Sequence, residues 1–207
     1  MSLAAQLAEG VTQLELALPP QAQARLLDYL GLLQKWNRIY NLTAIREPAK
    51  MVSHHLLDSL AVVPQVTAAT LLDVGSGAGL PGIPLALALP RTHVTLLESS
   101  HKKTAFLQQA KLELKLNNVA VVRERVESWR PGRVFEMVIS RAFSDLAEFI
   151  RLAGRHVAPG GRLAAMKGIY PHEEINPLPG GWRLDRALAL AVPGLRAQRH
   201  LLLIGRE

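Results

Sequence analysis

Over residues 1–66, apolar side chains recur at three- and four-residue steps, and from Thr70 onward they gather in short blocks broken by glycine and proline. In the first region Leu26, Leu30, Leu33, Asn37 and Tyr40 fall on one stripe, with Arg25, Lys35 and Arg38 elsewhere on the cylinder, so the spacing predicts an amphipathic helix. Pro19-Pro20 suits its start and Asn41-Leu42-Thr43 its end, while Glu47-Pro48 opens a second helix running to about Val63. After Thr70 the blocks have strand length: Thr70–Val74, His93–Leu97, Val119–Arg123, Phe135–Ser140 and, after the turn Pro159-Gly-Gly161, Arg162–Lys167. Helical stretches at Leu80–Leu89, Lys102–Leu116 and Asp145–His156 separate most of them. Prolines 81 and 84 are tolerated in a first turn. Strands alternating with helices in this way predict βαβ units and a parallel sheet. Arg183–Val192 and Arg199–Ile204 instead flank Pro193-Gly194 with no helix between, the mark of a terminal antiparallel hairpin. The expected architecture is α/β, a Rossmann-like sheet of seven mostly parallel strands with the last reversed. Its expected division is a helical extension at 1–66 packed on an α/β domain at 67–207.

The run Leu71-Leu-Asp-Val-Gly-Ser-Gly-Ala-Gly-Leu-Pro-Gly-Ile-Pro84 joins the first strand to a helix. In an open parallel sheet this loop lies at the carboxyl ends of the strands, where ligands bind. Glycines serve where the backbone takes positive φ or a ligand approaches too closely for a Cβ. Gly77-Ala-Gly-Leu-Pro-Gly82 fits the dinucleotide fingerprint by letter. However, Asp73 stands two residues before Gly75, and Gly75, Gly77 and Gly79 form a G-x-G-x-G turn. A carboxylate there repels a pyrophosphate but attracts the amino group and sulfonium of S-adenosyl-L-methionine. The methyl donor is therefore favoured over a nicotinamide or flavin, and over a tight loop with no ligand. Glu98 ends the second strand 23 residues after Gly75, where a carboxylate can hold ribose hydroxyls. Arg123-Glu-Arg-Val-Glu127 follows the third strand and either reads adenine edges or is a solvated charge run.

The segment after the fourth strand faces the methyl acceptor in such enzymes. Ser140-Arg-Ala-Phe143 stands there in place of the Asn/Asp-Pro-Pro-aromatic run of adenine amino methyltransferases, which disfavours adenine N6. Arg141 can pair bidentately with a guanine edge, a carboxylate or a phosphate, and Lys167 ends the fifth strand at the same rim. Either could instead be structural. His54 and Asp58 share a helix face at i, i+4, but no third ligand has a matching spacing, so a metal is disfavoured and the pair, His54 included, reads as helix packing or as a wall of the acceptor pocket. Asn37 and Asn41 serve either substrate or the helix end, and Trp36 with Tyr40 fits core packing better than a stacking platform.

Composition sharpens this picture. The chain has 24 Lys+Arg against 17 Asp+Glu, and all the excess lies in 67–207, since 1–66 carries five of each. Between His101 and Arg141 nine basic residues face four acidic ones, either a solvated face or a nucleic-acid contact. There is no cysteine, which excludes disulfides, thiolate metal sites and the covalent Cys adduct of pyrimidine C5 methylation. No apolar stretch is long enough to cross a bilayer and Met1–Gly10 lacks the layout of a secretory signal, so a cytoplasmic location and no membrane partner are expected. A small-molecule methyltransferase or a non-catalytic RNA-binding module are the alternatives. The first leaves the basic half without a purpose, and the second leaves Asp73–Gly79 and Glu98 unexplained.

Several segments taken together resemble one family. Asn37–Thr43, His55–Leu60, Asp73–Pro84, Glu98–Leu107, Ser140-Arg-Ala142 and Lys167-Gly168 are similar to the bacterial small-subunit ribosomal RNA methyltransferase G family, also called glucose-inhibited division protein B. The resemblance spans nearly the whole chain and is weakest over the last 40 residues. It implies transfer of methyl from S-adenosyl-L-methionine to N7 of guanine 527 in 16S ribosomal RNA. It also implies cofactor contacts at Gly75, Leu80, Val126-Glu127 and Arg141. The substrate form (free RNA, 30S particle or assembly intermediate) stays open, as does oligomeric state, with a monomer favoured.

Overall fold

The computed structural model describes residues 1–207 except Ser144, Asn176 and Pro177. Its strands are β1 (Thr70–Val74), β2 (His93–Leu97), β3 (Val119–Val122), β4 (Phe135–Ser140), β5 (Val157–Lys167), β6 (Trp182–Ala189) and β7 (His200–Arg206). Among the described residues they form one sheet of order β3-β2-β1-β4-β5-β7-β6. The first five pair in parallel, whereas β7 runs antiparallel to both β5 and β6. The order reverses between β2-β1 and β4, which opens a crevice above the carboxyl ends of β1 and β4. This is the Rossmann-like α/β sheet with a reversed last strand, and β6–β7 is the expected terminal hairpin.

The helices are α1 (Leu3–Gln13), α2 (Pro20–Tyr40), α3 (Pro48–Met51), α4 (Asp58–Leu60), α5 (Gly82–Ala88), α6 (His101–Glu113) and α7 (Leu146–Ala153). Pro20 fills the first turn of α2, where its missing N–H costs nothing, and Asn41 caps the other end in the left-handed conformation. Asp145 caps α7 by accepting the Glu148 N–H at 2.7 Å. One face of the sheet packs with α1, α2, α5 and α6 in a single apolar cluster that includes Leu7, Leu33, Leu56, Leu71, Ile83 and Phe106. The other face packs with α7 around Leu72, Phe135, Val138 and Phe149.

Two elements differ from the expected ones. The second predicted helix is continuous but not regular: Val52–Leu57, between α3 and α4, is π-helical. No side chain in Val-Ser-His-His-Leu-Leu announces a wider turn, because its hydrophobic spacing fits an α-helix equally well. Strand β5 also starts earlier than the turn Pro159-Gly-Gly161 suggests. Phe135 pairs with Val157 and Met137 with Arg162, so the turn is an insertion within the strand rather than its beginning. No helix of the described residues is long and apolar enough to cross a membrane.

Candidate active site

The glycine run folds as a tight loop between β1 and α5. Gly75 and Ser76 donate backbone N–H groups to Leu97 O at 2.9 and 3.2 Å, and Gly79 and Leu80 donate to Ser76 O. Gly75, Gly77 and Gly79 all have positive φ, and a Cβ on Gly75 would stand 3.0 Å from Ala142 Cβ. The loop therefore brings bare backbone against the segment that follows β4. Tyr29 of α2 fastens the loop from the other side, donating its buried hydroxyl to Ala78 O at 2.7 Å. Burial pushes that phenol well above its usual range. A cavity of about 180 Å³ lies over the loop, lined by Thr43, Gly75, Gly77, Leu80, Arg141 and Ala142 among others.

Asp73 and Glu98 sit beneath this cavity rather than in its wall. Asp73 is fully buried, and its Oδ2 accepts the Gly82 N–H at 2.9 Å in the first turn of α5. Its Oδ1 is buried without a partner. Burial raises its pKa to about 7, against the lowering effects of the Gly82 N–H and of Arg141. Glu98 accepts Gly77 N–H at 2.9 Å and Ser100 N–H at 2.8 Å, one on each oxygen. A carboxylate has about four acceptor positions, so both oxygens keep capacity for ribose hydroxyls. Val126 is buried and its carbonyl is bonded by Arg155, whereas Glu127 is exposed beside it. The bare glycine cradle, whose Gly75, Ser76, Gly77, Gly79 and Leu80 N–H groups are already bonded within the protein, and the spare capacity of Glu98 fit a cofactor that carries ribose hydroxyls and no phosphate.

A second cavity, of about 340 Å³, adjoins the first and shares Arg141 with it. Its wall includes His54, His55, Asp58, Lys167 and Arg199. Asp58, with its side chain 1% exposed, is the anchor: Oδ2 pairs with Arg141 at 3.1 Å and Oδ1 with Arg199 at 2.8 Å. Arg141 also donates to His54 O at 3.3 Å. A carboxylate shared by two guanidiniums fixes both in orientation, and it binds the start of β7 to the N-terminal helices. Lys167, nearly buried, pairs with Glu174 at 2.7 Å. Glu174 in turn accepts the Leu146 N–H at 2.8 Å. His54 Nδ1 lies 2.8 Å from Ser53 Oγ.

Of the residues singled out from sequence, Gly75, Gly77, Leu80 and Arg141 line the first cavity, and His54, Arg141 and Lys167 line the second. Gly79 sits one step behind the first wall, against Ile83 and Leu107. Asn41 is exposed at the end of α2, its side-chain oxygen bonded by Arg46 at 2.6 Å. Asn37 is buried and accepts the Thr43 N–H at 2.9 Å, so it shapes the turn that carries Thr43 into the site. Trp36 packs edge-on against Phe106 at 5.7 Å and beside Tyr40 at 5.2 Å. Sequence reasoning missed His55, Arg199 and Glu174, and it weighed Asp58 with His54 as a disfavoured metal pair, as helix packing or as a wall of the acceptor pocket, not as the shared anion of two arginines. The one available signal was that His55 and Asp58 share a short motif; nothing local marked Arg199, which is 141 residues from its carboxylate.

Residues 22–202 match the family described as rRNA small subunit methyltransferase G. The ribosomal RNA small subunit methyltransferase G of Nitrosospira multiformis is 56% identical and covers 100% of this chain and 99% of its own length. That of Aromatoleum aromaticum is 55% identical over 99% of both chains. Among solved structures, TrmN from Thermus thermophilus superposes with a TM-score of 0.59 at 19% identity, covering 75% of this chain and 53% of its own. The O-methyltransferase TomG from Streptomyces achromogenes, solved with SAM, gives 0.58 at 17% identity over 86% and 89%. These structures share the methyltransferase fold, and the full-length sequence relatives are more specific: the chain belongs to the rRNA small subunit methyltransferase G family.

Proposed function

We propose that the chain transfers a methyl group from S-adenosyl-L-methionine to N7 of guanine 527 in 16S ribosomal RNA. The observation that carries the reading is the meeting of two cavities at Arg141, one a bare glycine cradle and the other walled by arginine, lysine and histidine. Family membership selects ribosomal RNA as the substrate, and the resemblance in sequence selects the guanine atom. When bound, the cofactor supplies an electrophilic methyl on a sulfonium. Gly75, Gly77 and Leu80 would hold it from the loop, with Glu98 at the ribose and Asp73 beneath.

Guanine N7 carries an in-plane lone pair and no proton at neutral pH, so attack on the methyl requires alignment rather than a base. Effective molarities of well-oriented reactants reach roughly 10⁵–10⁸ M, enough for orientation to dominate. This chain's contribution is to fix the acceptor: Asp58 holds Arg141 and Arg199 in place, and Glu174 holds Lys167. Burial and Arg141 lower the pKa of His55 to about 4, so at neutral pH it stays uncharged.

The test is transfer of tritiated methyl from S-adenosyl-L-methionine to ribosomal RNA from cells that lack the modification. Label entering 16S RNA supports the reading. Labelling of no RNA, with cofactor bound, would turn attention to a small acceptor.

A further inference from the structure

The first 66 residues are neutral by count, with five basic and five acidic groups, but their charges are not paired off in space. Lys50 takes Glu47 at 2.7 Å, Asp58 is taken by Arg141 and Arg199, and Arg25 bonds the Leu114 carbonyl after α6. Arg38 and Arg46 instead line a third cavity, of about 230 Å³, together with Gln34, Asn37, Pro48 and Met51. No carboxylate lines it, and neither arginine enters an ion pair among the described residues. The Arg46 guanidinium donates to Asn41 Oδ1 at 2.6 Å, just past the end of α2. Arg38 lies in the last turn of α2 and is followed by Ile39 and Tyr40, which are 74% and 40% exposed. Residues 41–48 run along all three cavities: Leu42 and Thr43 line the first, Ile45 the second, and Arg46 with Pro48 the third. A single strap of chain thus joins the third cavity to the one that receives the acceptor.

We propose that Arg38 and Arg46 form a subsite for a backbone phosphate of the RNA strand close to the acceptor nucleotide, with Asn41 as the positioning residue of Arg46. That assignment rests on the proposed RNA reading and deepens it. A guanidinium is always charged and presents a fork of donors that matches phosphate oxygens. Two of them on one wall, with no carboxylate beside them, suit a phosphodiester. A strand whose acceptor base enters the second cavity carries a phosphate on each side of that base, within reach of a strap that borders the same cavity. Ile39 and Tyr40 add apolar surface beside Arg38, which sugar and base faces can cover and a free anion cannot use. Such contacts fix the register of the strand and carry no base information, so the choice of base stays with the second cavity.

The experiment measures KM and kcat for methyl transfer to unmodified 16S ribosomal RNA over a range of salt. Both arginines are exposed, so Arg38→Gln, Arg46→Gln and the double variant leave the core untouched. The control is Arg91→Gln, an exposed arginine before β2, at the opposite end of the strands from the crevice. The double variant is expected to raise KM for RNA roughly 5- to 30-fold and to lower the slope of log KM against log salt by about 0.7–1, the share of one phosphate. Its kcat and its KM for S-adenosyl-L-methionine should stay within about twofold of wild type, because phosphate contacts position the strand and leave the cofactor alone. Asn41→Gly, which keeps the left-handed turn, should change KM and slope in the same direction by less, and should add nothing to Arg46→Gln. A double variant that matches Arg91→Gln in both KM and slope would overturn the inference, as would an equal loss in KM for the cofactor. Failure of wild type to label 16S RNA at all would instead refute the underlying function, so the two failures are distinct.

Discussion

The two cavities that meet at Arg141 are built from different materials. The first is backbone: a positive-φ glycine loop, tied by main-chain hydrogen bonds to Leu97 and from below by two carboxylates. The second is side chain: a buried carboxylate between two guanidiniums, a lysine–glutamate pair and two histidines. A backbone site depends on local sequence, because consecutive residues make it. A side-chain site assembled from α3–α4, β4, β5 and the hairpin depends on the whole fold.

The largest expected loss at neutral pH lies in the second cavity. Asp58→Asn leaves Arg141 and Arg199 without their shared anion in a nearly buried setting. Removing one partner of a buried pair costs about 3–5 kcal/mol, and the partial exposure of both arginines brings this to roughly 2–3 kcal/mol. Denaturant unfolding should show that loss, with methyl transfer falling further than cofactor affinity. An equal fall in both would mean that the cavities are not separable.

Acid titration separates the regions by sign. Asp73 has a folded pKa near 7 against an ordinary 3.8, so its protonated form is favoured and its contribution to stability declines as pH rises from about 4 to 7. His55 has a folded pKa near 4 against 6.5, so its contribution is lost as pH falls from about 6.5 to 4. Relative to wild type, Asp73→Asn should gain stability as pH rises through its window, and His55→Asn should gain as pH falls through its own. Each relative change should be of order 3 kcal/mol by unfolding at stepped pH. Parallel curves for wild type and variant would refute the assigned burial.

This contrast also explains what could be read from the sequence. The parallel sheet, the reversed last strand, the glycine loop and the placement of Glu98 against that loop were legible, because Leu71–Pro84 and the strand spacing encode them within one or two elements. Arg141 and Lys167 were legible from their place at strand ends. Arg199 and the role of Asp58 were not, since ion pairs between residues 83 and 141 positions apart leave no periodic trace, and Glu174, only seven residues after Lys167, lies beyond the strand in a segment without regular spacing. The π-helical turn was hidden for a different reason: it has the composition of an α-helix, and tertiary packing selects it.

Two smaller effects would sharpen the contrast. Glu98→Gln keeps the shape of the first cavity but weakens charge-assisted bonds worth about 1.5–3 kcal/mol each, so calorimetry should show cofactor binding about tenfold weaker or more with the fold intact. Salt should act on one ligand only. RNA affinity should fall steeply with ionic strength through counterion release, while cofactor affinity barely moves. A flat response for RNA would argue against phosphate contacts by the basic half of the chain.

The most direct measurement identifies the methylated atom. Unmodified 16S ribosomal RNA would be incubated with the chain and S-adenosyl-L-methionine, digested to nucleosides and analysed by mass spectrometry, with the modified position mapped by chemical cleavage at 7-methylguanosine. The account predicts 7-methylguanosine at position 527 and nowhere else. Methyl on another atom, on another nucleotide or on no RNA would contradict it.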